Sequence, residues 1–240
     1  IFTVCICTER EIGKEGGHRV QTDSSGNAER DVRGNMKKLL TISREYGSGG
    51  RVIGGLVAKK LGVPLYDREI IDMAVEKSGL SREIIESAEL RAKNNFSYSL
   101  ASAVNFSEGV SGEMISVNEK LFLTQFDIIT QIGQTGEGVI IGRCADYVLR
   151  DLPGVTNVFI HARMEDRIER AVSQYGDDPE KVKHIIRNYD KARKNYYNYH
   201  TSQKWGDYIN YDLSINTSHV SDETAADLIV DYVKNRNNKH

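Results

Sequence analysis

The chain has only three cysteines in 240 residues, Cys5, Cys7 and Cys144. That is too few for a disulfide framework, so a scaffold stapled by disulfides is excluded and a reduced, cytoplasmic setting is expected. Cys5-x-Cys7 has no second ligand pair, which argues against a zinc site. The chain also lacks an excess of either charge, with 32 Lys and Arg against 34 Asp and Glu and a formal charge of −2. It therefore exerts no global attraction on nucleic acid or an anionic membrane, neither of which is an expected partner, and any anion site must be local. No apolar run approaches the roughly 20 residues that span a bilayer. Internal repeats, low-complexity tracts and a Ser/His/Asp grouping are missing too, and His161 and His184 have no catalytic partner visible in the sequence.

What is there fits an ordinary globular protein. Hydrophobic residues make up 39% and charged residues 28%, and the length allows one substantial core with small inserted subdomains. The first 35 residues stand apart, being polar and aperiodic after Ile1–Cys7, a stretch too short for a secretory apolar region. The domain is expected to start near Met36 and run over 36–240, with 1–35 a disordered extension or translated upstream sequence.

Five apolar runs read as buried strands: one ending at Ser43, then Pro64–Tyr66, Gly138–Ile141, Val155–Ile160 and Tyr211–Ile215. Helical patterns separate them, beginning with Val52–Leu61 and continuing with Asp67–Lys77, Ser81–Lys93, Glu113–Gly136, Glu165–Tyr175, Pro179–Tyr199 and Asp222–Asn235. The segment 94–112 is rich in Ser and Asn and reads as an insert or loop. Alternating strands and helices predict an α/β fold with a parallel sheet covered on both faces. Ligands in such sheets lie beyond the carboxyl ends of the strands. That rule nominates Gly47 to Arg51, Asp67-Arg68, Gly142-Arg143 and His161 to Arg163.

The first of these is the most informative. In Ser43-Arg44-Glu45-Tyr46-Gly47-Ser48-Gly49-Gly50-Arg51-Val52, a strand ends in a glycine-rich turn and a helix follows at once. Backbone N–H groups and the positive end of a helix dipole then converge on one point, which is a phosphate cradle. The turn departs from the phosphate-loop pattern G-x-x-x-x-G-K-[ST]. With Gly49 at the glycine before the lysine, Arg44 stands at the first glycine, Gly50 at the lysine and Arg51 at the hydroxyl residue. A turn that merely packs a helix on a strand is the competing reading.

Three other sets of residues carry candidate chemistry. Asp67, at the end of a strand, suits either a helix N-cap or the holding of a ribose, base or metal. Arg143 closes a buried strand and suits bidentate phosphate contact, the alternative being an ion pair with Asp146. On the helix from Pro179, at about 100° per residue, Val182, Ile186, Tyr189 and Tyr196 share one stripe. Arg187, Lys191 and Lys194 lie off it, as a solvated face would. Arg193 falls on the stripe with Asp190 at its edge, so its guanidinium needs an anionic partner or a ligand. Core packing explains the aromatic patch Tyr196 to Trp205 more economically than base stacking.

These pieces resemble the cytidylate kinase-like family, part of the nucleoside monophosphate kinase group. The carrying segments are Thr41–Gly50, Tyr66–Ile71, Gly142–Asp146 and Asp190-Lys191-x-Arg193-x-x-x-Tyr197. The resemblance runs from about Lys38 to Val233. It implies a three-layer α/β/α fold, a helical nucleotide-binding insert at about 68–115 and a lid at about 178–205. It further implies ATP and Mg²⁺ as cofactors and a small nucleotide as partner. Gly47, Ser48, Gly49, Gly50, Arg51 and Val52 would hold ATP, with Ser48 (or Ser43) reaching the metal. Asp67, Arg143, Asp190 and Arg193 would bind the acceptor, and Arg51, Arg143, Arg193 and Lys191 would serve catalysis. The reaction implied is transfer of the γ-phosphate to a nucleoside monophosphate, CMP or dCMP first. With glycine at position 50, either Arg51 or Arg44 would have to supply the missing cation. A nucleotide-binding regulator without turnover and a kinase of a nonnucleotide metabolite are the alternative functions.

Overall fold

The structure is a computed structural model that describes residues 38–85 and 116–236. The expected extension over 1–35, most of the expected insert (86–115) and the helix predicted beyond residue 85 lie outside the described residues.

Five parallel strands form one sheet: β1 (Lys38–Arg44), β2 (Leu65–Tyr66), β3 (Glu137–Ile141), β4 (Val155–His161) and β5 (Leu213–Asn216), in the spatial order β2-β3-β1-β4-β5. β1 lies at the centre, pairing Leu40 with Val139 on one side and with Thr156 on the other. Its residues are buried on both faces because successive side chains alternate across the pleat. Leu40 and Ile42 enter one core, whereas Leu39 enters the other.

Helices fill both faces. α1 (Gly50–Leu61) and α7 (Asp222–Arg236) cover one face, with Ile53, Val57, Ile229 and Val233 against Leu40, Ile141 and Ile160. α2 (Glu69–Ser78), α3 (Val117–Thr135) and α4 (Ala145–Val148) cover the other, with Ile70, Ile128 and Ile129 against Leu39 and Ile140. This is the three-layer α/β/α arrangement expected of the sequence. α5 (Met164–Tyr175) and α6 (Val182–Thr201) build a third, smaller cluster in which Ala171, Val182 and Ile186 pack with Tyr46 of the glycine turn.

Boundaries differ from the sequence expectations where local chemistry decides them. α3 begins at Val117, after Ser116 caps it by accepting the Glu119 N–H at 3.2 Å. α6 begins at Val182 rather than Pro179, and a short 3₁₀ turn, Tyr208–Asn210, precedes β5. α4, a single turn, has no periodic signature of its own. Among the described residues no helix is long and apolar enough to cross a membrane.

Candidate active site

β1 ends at Arg44, and the chain turns through Glu45 to Gly49 into the first turn of α1. Gly47 (φ +81°) and Gly49 (φ +82°) take left-handed backbone conformations that side chains disfavour. At Gly47 a Cβ would also lie 2.7 Å from the Arg167 carbonyl oxygen, so the turn is closed from behind by α5. The amides of Gly50, Arg51 and Val52 belong to the first turn of α1, where helix geometry leaves N–H groups without an intrahelical acceptor.

The turn is held from within the protein. Tyr46 N–H donates to Asp190 Oδ1 at 2.8 Å, and Asp190 Oδ2 accepts from Arg167. Arg167 Nε donates to the Tyr46 carbonyl at 2.7 Å, and its Nη1 lies 3.1 Å from Glu45 Oε2. Glu45 in turn accepts the Ala162 N–H at 3.2 Å. From the end of β5, Thr217 Oγ1 donates to the Ser48 carbonyl at 2.9 Å. The Tyr46 ring stacks on Tyr189 at 4.3 Å, and burial, reinforced by its bond to Asp177, raises its phenol far above the usual range.

In front of the turn opens a cleft of about 840 Å³, a size typical of small-ligand sites. Gly47, Gly49, Gly50, Arg51 and Val52 line it, joined by Asp67, Arg143 and Arg193. Tyr175, Tyr189 and Tyr196 line it as well. Six arginines face it (44, 51, 68, 82, 143 and 193) against two carboxylates, Glu45 and Asp67.

Asp67 is buried between two of these arginines. Its Oδ2 lies 2.7 Å from Arg51 Nε, and its Oδ1 lies 3.7 Å from Arg143 Nη1. It is not the cap of α2, a position Arg68 takes without a side-chain bond. Arg143 therefore faces Asp67 and not Asp146. Gly142 (φ +71°), Arg143 (φ +55°) and Cys144 (φ +56°) are three consecutive left-handed residues. Such backbone persists in arginine and cysteine only when the surroundings impose it, and it is concentrated at functional sites. Arg193 points inward as its place on the helix stripe predicts, with a quarter of its side chain exposed. Its Nη1 donates to the Arg44 carbonyl at 3.0 Å and lies 3.9 Å from Asp190 Oδ1, and burial lowers its affinity for its proton.

Three sequence expectations need correcting. The Ser48 hydroxyl is fully buried and donates to the carbonyls of Glu45 and Ile160, at 2.9 and 3.2 Å, so it does not face the cleft to meet a metal. Asp190 spends both oxygens on the turn and does not line the cleft, so it positions the cradle rather than touching an acceptor. Lys191 is exposed and outside the cleft, which fits the solvated face and not a catalytic role. Among the described residues no group of three or more His, Cys, Asp or Glu is placed to hold a metal ion.

Arg167 and Glu45 join the site although the sequence pattern does not single them out. Arg167 is 5% exposed, and its signal was its place four residues before Ala171, on the buried side of an otherwise polar helix.

The chain has relatives among solved structures and one matching family. The chain is similar to an uncharacterized protein from Eubacterium ventriosum, with 26% identity, 82% of this chain and 98% of that one covered, and a TM-score of 0.59. A shikimate kinase from Bacteroides thetaiotaomicron matches at 11% identity, covering 82% of this chain and 98% of its own, with a TM-score of 0.47. A deoxyadenosine kinase from M. mycoides matches at 10% identity over the same shares, with a TM-score of 0.42. No curated protein sequence matches the chain. The sequence profile of the cytidylate kinase-like family matches residues 39–219. With its glycine turn and arginine-lined cleft inside that span, the chain belongs to the cytidylate kinase-like family.

Proposed function

We propose that this phosphotransferase-family protein moves the γ-phosphoryl group of ATP to a nucleoside monophosphate, with CMP or dCMP the preferred acceptor. The observation that carries the reading is the convergence of six arginines on the cleft in front of the glycine turn. So many cations around a helix N-terminus suit two phosphorylated ligands at once, and guanidinium matches phosphate oxygens bidentately.

Phosphoryl transfer asks a protein mainly to position the reactants and offset charge. An acceptor phosphate oxygen attacks the γ-phosphorus, and the bond from that phosphorus to the bridging oxygen of ADP breaks. ADP leaves with the electron pair, so no proton need be removed by a protein base. The amides at the start of α1 would hold the donor phosphates. Arg143 and Arg193 would neutralise the transferring and acceptor phosphates, while Asp67, bracketed by Arg51 and Arg143, orients the acceptor side. Mg²⁺ would arrive on the nucleotide, since Mg²⁺ is commonly held through substrate phosphates with few protein ligands. The proposal also places the protein in the cytoplasm, acting on a small nucleotide and not on nucleic acid or membrane.

The test is ADP release by the full chain with ATP, Mg²⁺ and each nucleoside monophosphate in turn. CMP- or dCMP-dependent release is expected, reduced at least about 100-fold in Arg143→Ala. ATP binding without turnover on any acceptor would support the regulatory reading, which glycine at position 50 favours. Turnover only with a phosphate-free acceptor would contradict the nucleotide acceptor.

A further inference from the structure

We infer that Arg44 supplies the phosphate-facing cation that a lysine at position 50 supplies in an ordinary phosphate loop, a reading that rests on the phosphotransfer proposed above. The two positions compete for one space. A Cβ built on Gly50 would lie 2.5 Å from Arg44 Cβ and 2.9 Å from Arg44 Cγ. The Arg44 stem therefore crosses the place from which a lysine at 50 would start. Gly50 has no left-handed φ to explain it, so what requires glycine there is the arginine above it.

The same side chain accounts for a second glycine. The Arg44 guanidinium ends against Gly142, with Cζ 3.4 Å from the position a Cβ would take and Nη1 closer still. The charge thus reaches from the carboxyl end of β1 to that of β3, beside Arg143, and lines the cleft with the glycine turn. Its backbone is anchored as well, because the Arg44 carbonyl accepts the Arg193 Nη1–H at 3.0 Å. In the phosphate-loop pattern the first position of the loop is glycine and the seventh is lysine. Here the charge and the glycine have exchanged places, Arg44 for Gly50.

Arg51, the other candidate, stands differently. Its Nε is committed to Asp67 at 2.7 Å, and 53% of its side chain is exposed. It starts from the helix and reaches the acceptor-side carboxylate, whereas Arg44 crosses in front of the α1 N-terminus. Arg51 serves Asp67, and Arg44 serves the phosphate.

The exchange itself is the test. ATP affinity by calorimetry and ADP release are measured on the full chain and on Arg44→Ala, Arg44→Lys and the double variant Arg44→Gly/Gly50→Lys. Arg44→Ala should weaken ATP binding about 10-fold or more and slow turnover about 100-fold or more. Arg44→Lys, which keeps a charge and a stem, should lose less and covers the case in which the alanine variant fails to fold. The double variant should recover at least tenfold of the turnover lost in Arg44→Ala, a recovery that a merely structural Arg44 would not give. An Arg44→Ala protein within threefold of the parent in both readouts overturns the inference, and so does a folded double variant as slow as Arg44→Ala. A parent chain that binds ATP and turns it over separates those failures from failure of the phosphotransfer reading, which would show first, as a parent without ATP binding.

Discussion

Asp146, outside the cleft, sits in an environment that displaces a carboxyl from its ordinary chemistry. It is buried, and burial pushes its carboxyl up to about 6 against the opposing bond from Tyr197 Oη–H, at 2.6 Å to Oδ2. Among the described residues its Oδ1 has no hydrogen-bond partner. The folded state thus holds a proton on Asp146 between pH 4 and 6 that the unfolded chain has released. Its contribution to stability is full below pH 4 and is lost as pH rises through 6, by about 1.4 kcal/mol for each tenfold difference in proton affinity between the folded and unfolded chain. Asp146→Asn, neutral at every pH, is expected to gain stability over the parent at pH 7.5 but not at pH 4. Denaturant melts of both proteins across that range check this, and an equal gap at the two pH values would contradict it. At this scale the sequence read some side chains well. Arg193 was legible because a charge on an apolar stripe is costly unless it is paired. Arg167 was not, because an arginine on a helix rich in charge looks solvated until the partner loop is in place. Ser48 misled because a serine in a glycine turn signals a metal hydroxyl, and only the fold reveals that its hydroxyl is turned inward to the carbonyls of Glu45 and Ile160.

Among elements, the joint between the glycine turn and the α5–α6 pair matters most. Asp190 on α6 holds both the Tyr46 amide and Arg167 of α5, and Arg167 also holds Glu45. Removing Asp190 leaves the nearly buried guanidinium with Glu45 as its remaining ion-pair partner, a loss typically of about 1–3 kcal/mol. Asp190→Ala is therefore expected to lower the denaturant midpoint and to weaken ATP binding together, because the amide of Tyr46 is released with the salt bridge. Loss of ATP affinity at unchanged stability would mean that Asp190 touches the ligand itself. The main strands and helices were legible because buried parallel strands are continuous apolar runs and their cover helices repeat at 3.6. The order of the strands was not, since pairing between β1 and β4 is set by packing across more than 100 residues. The single-turn α4 and the start of α6 escaped for the opposite reason, being too local for any periodic signal.

For the whole molecule, the balance of charge hides the site. A formal charge of −2 coexists with a cleft where six arginines face two carboxylates. Affinity for a polyphosphate should then depend on salt much more than affinity for a nucleoside, because exposed charges are screened beyond about 10 Å at 0.1 M. Raising KCl from about 50 to about 500 mM is expected to weaken ATP binding about tenfold while moving adenosine binding less than twofold. Equal salt dependence for the two ligands would argue that the phosphates do not enter the cleft.

In the function proposed above, the glycine turn and its arginines receive the phosphates of a nucleotide. A crystal structure of the full chain with a nonhydrolysable ATP analogue tests it most directly. The β- and γ-phosphates are expected against the amides of Gly50 to Val52, with the guanidinium groups of Arg44, Arg143 and Arg193 within hydrogen-bonding distance of the phosphate oxygens. An analogue bound elsewhere, or bound with its phosphates turned out to solvent away from these arginines, would contradict it.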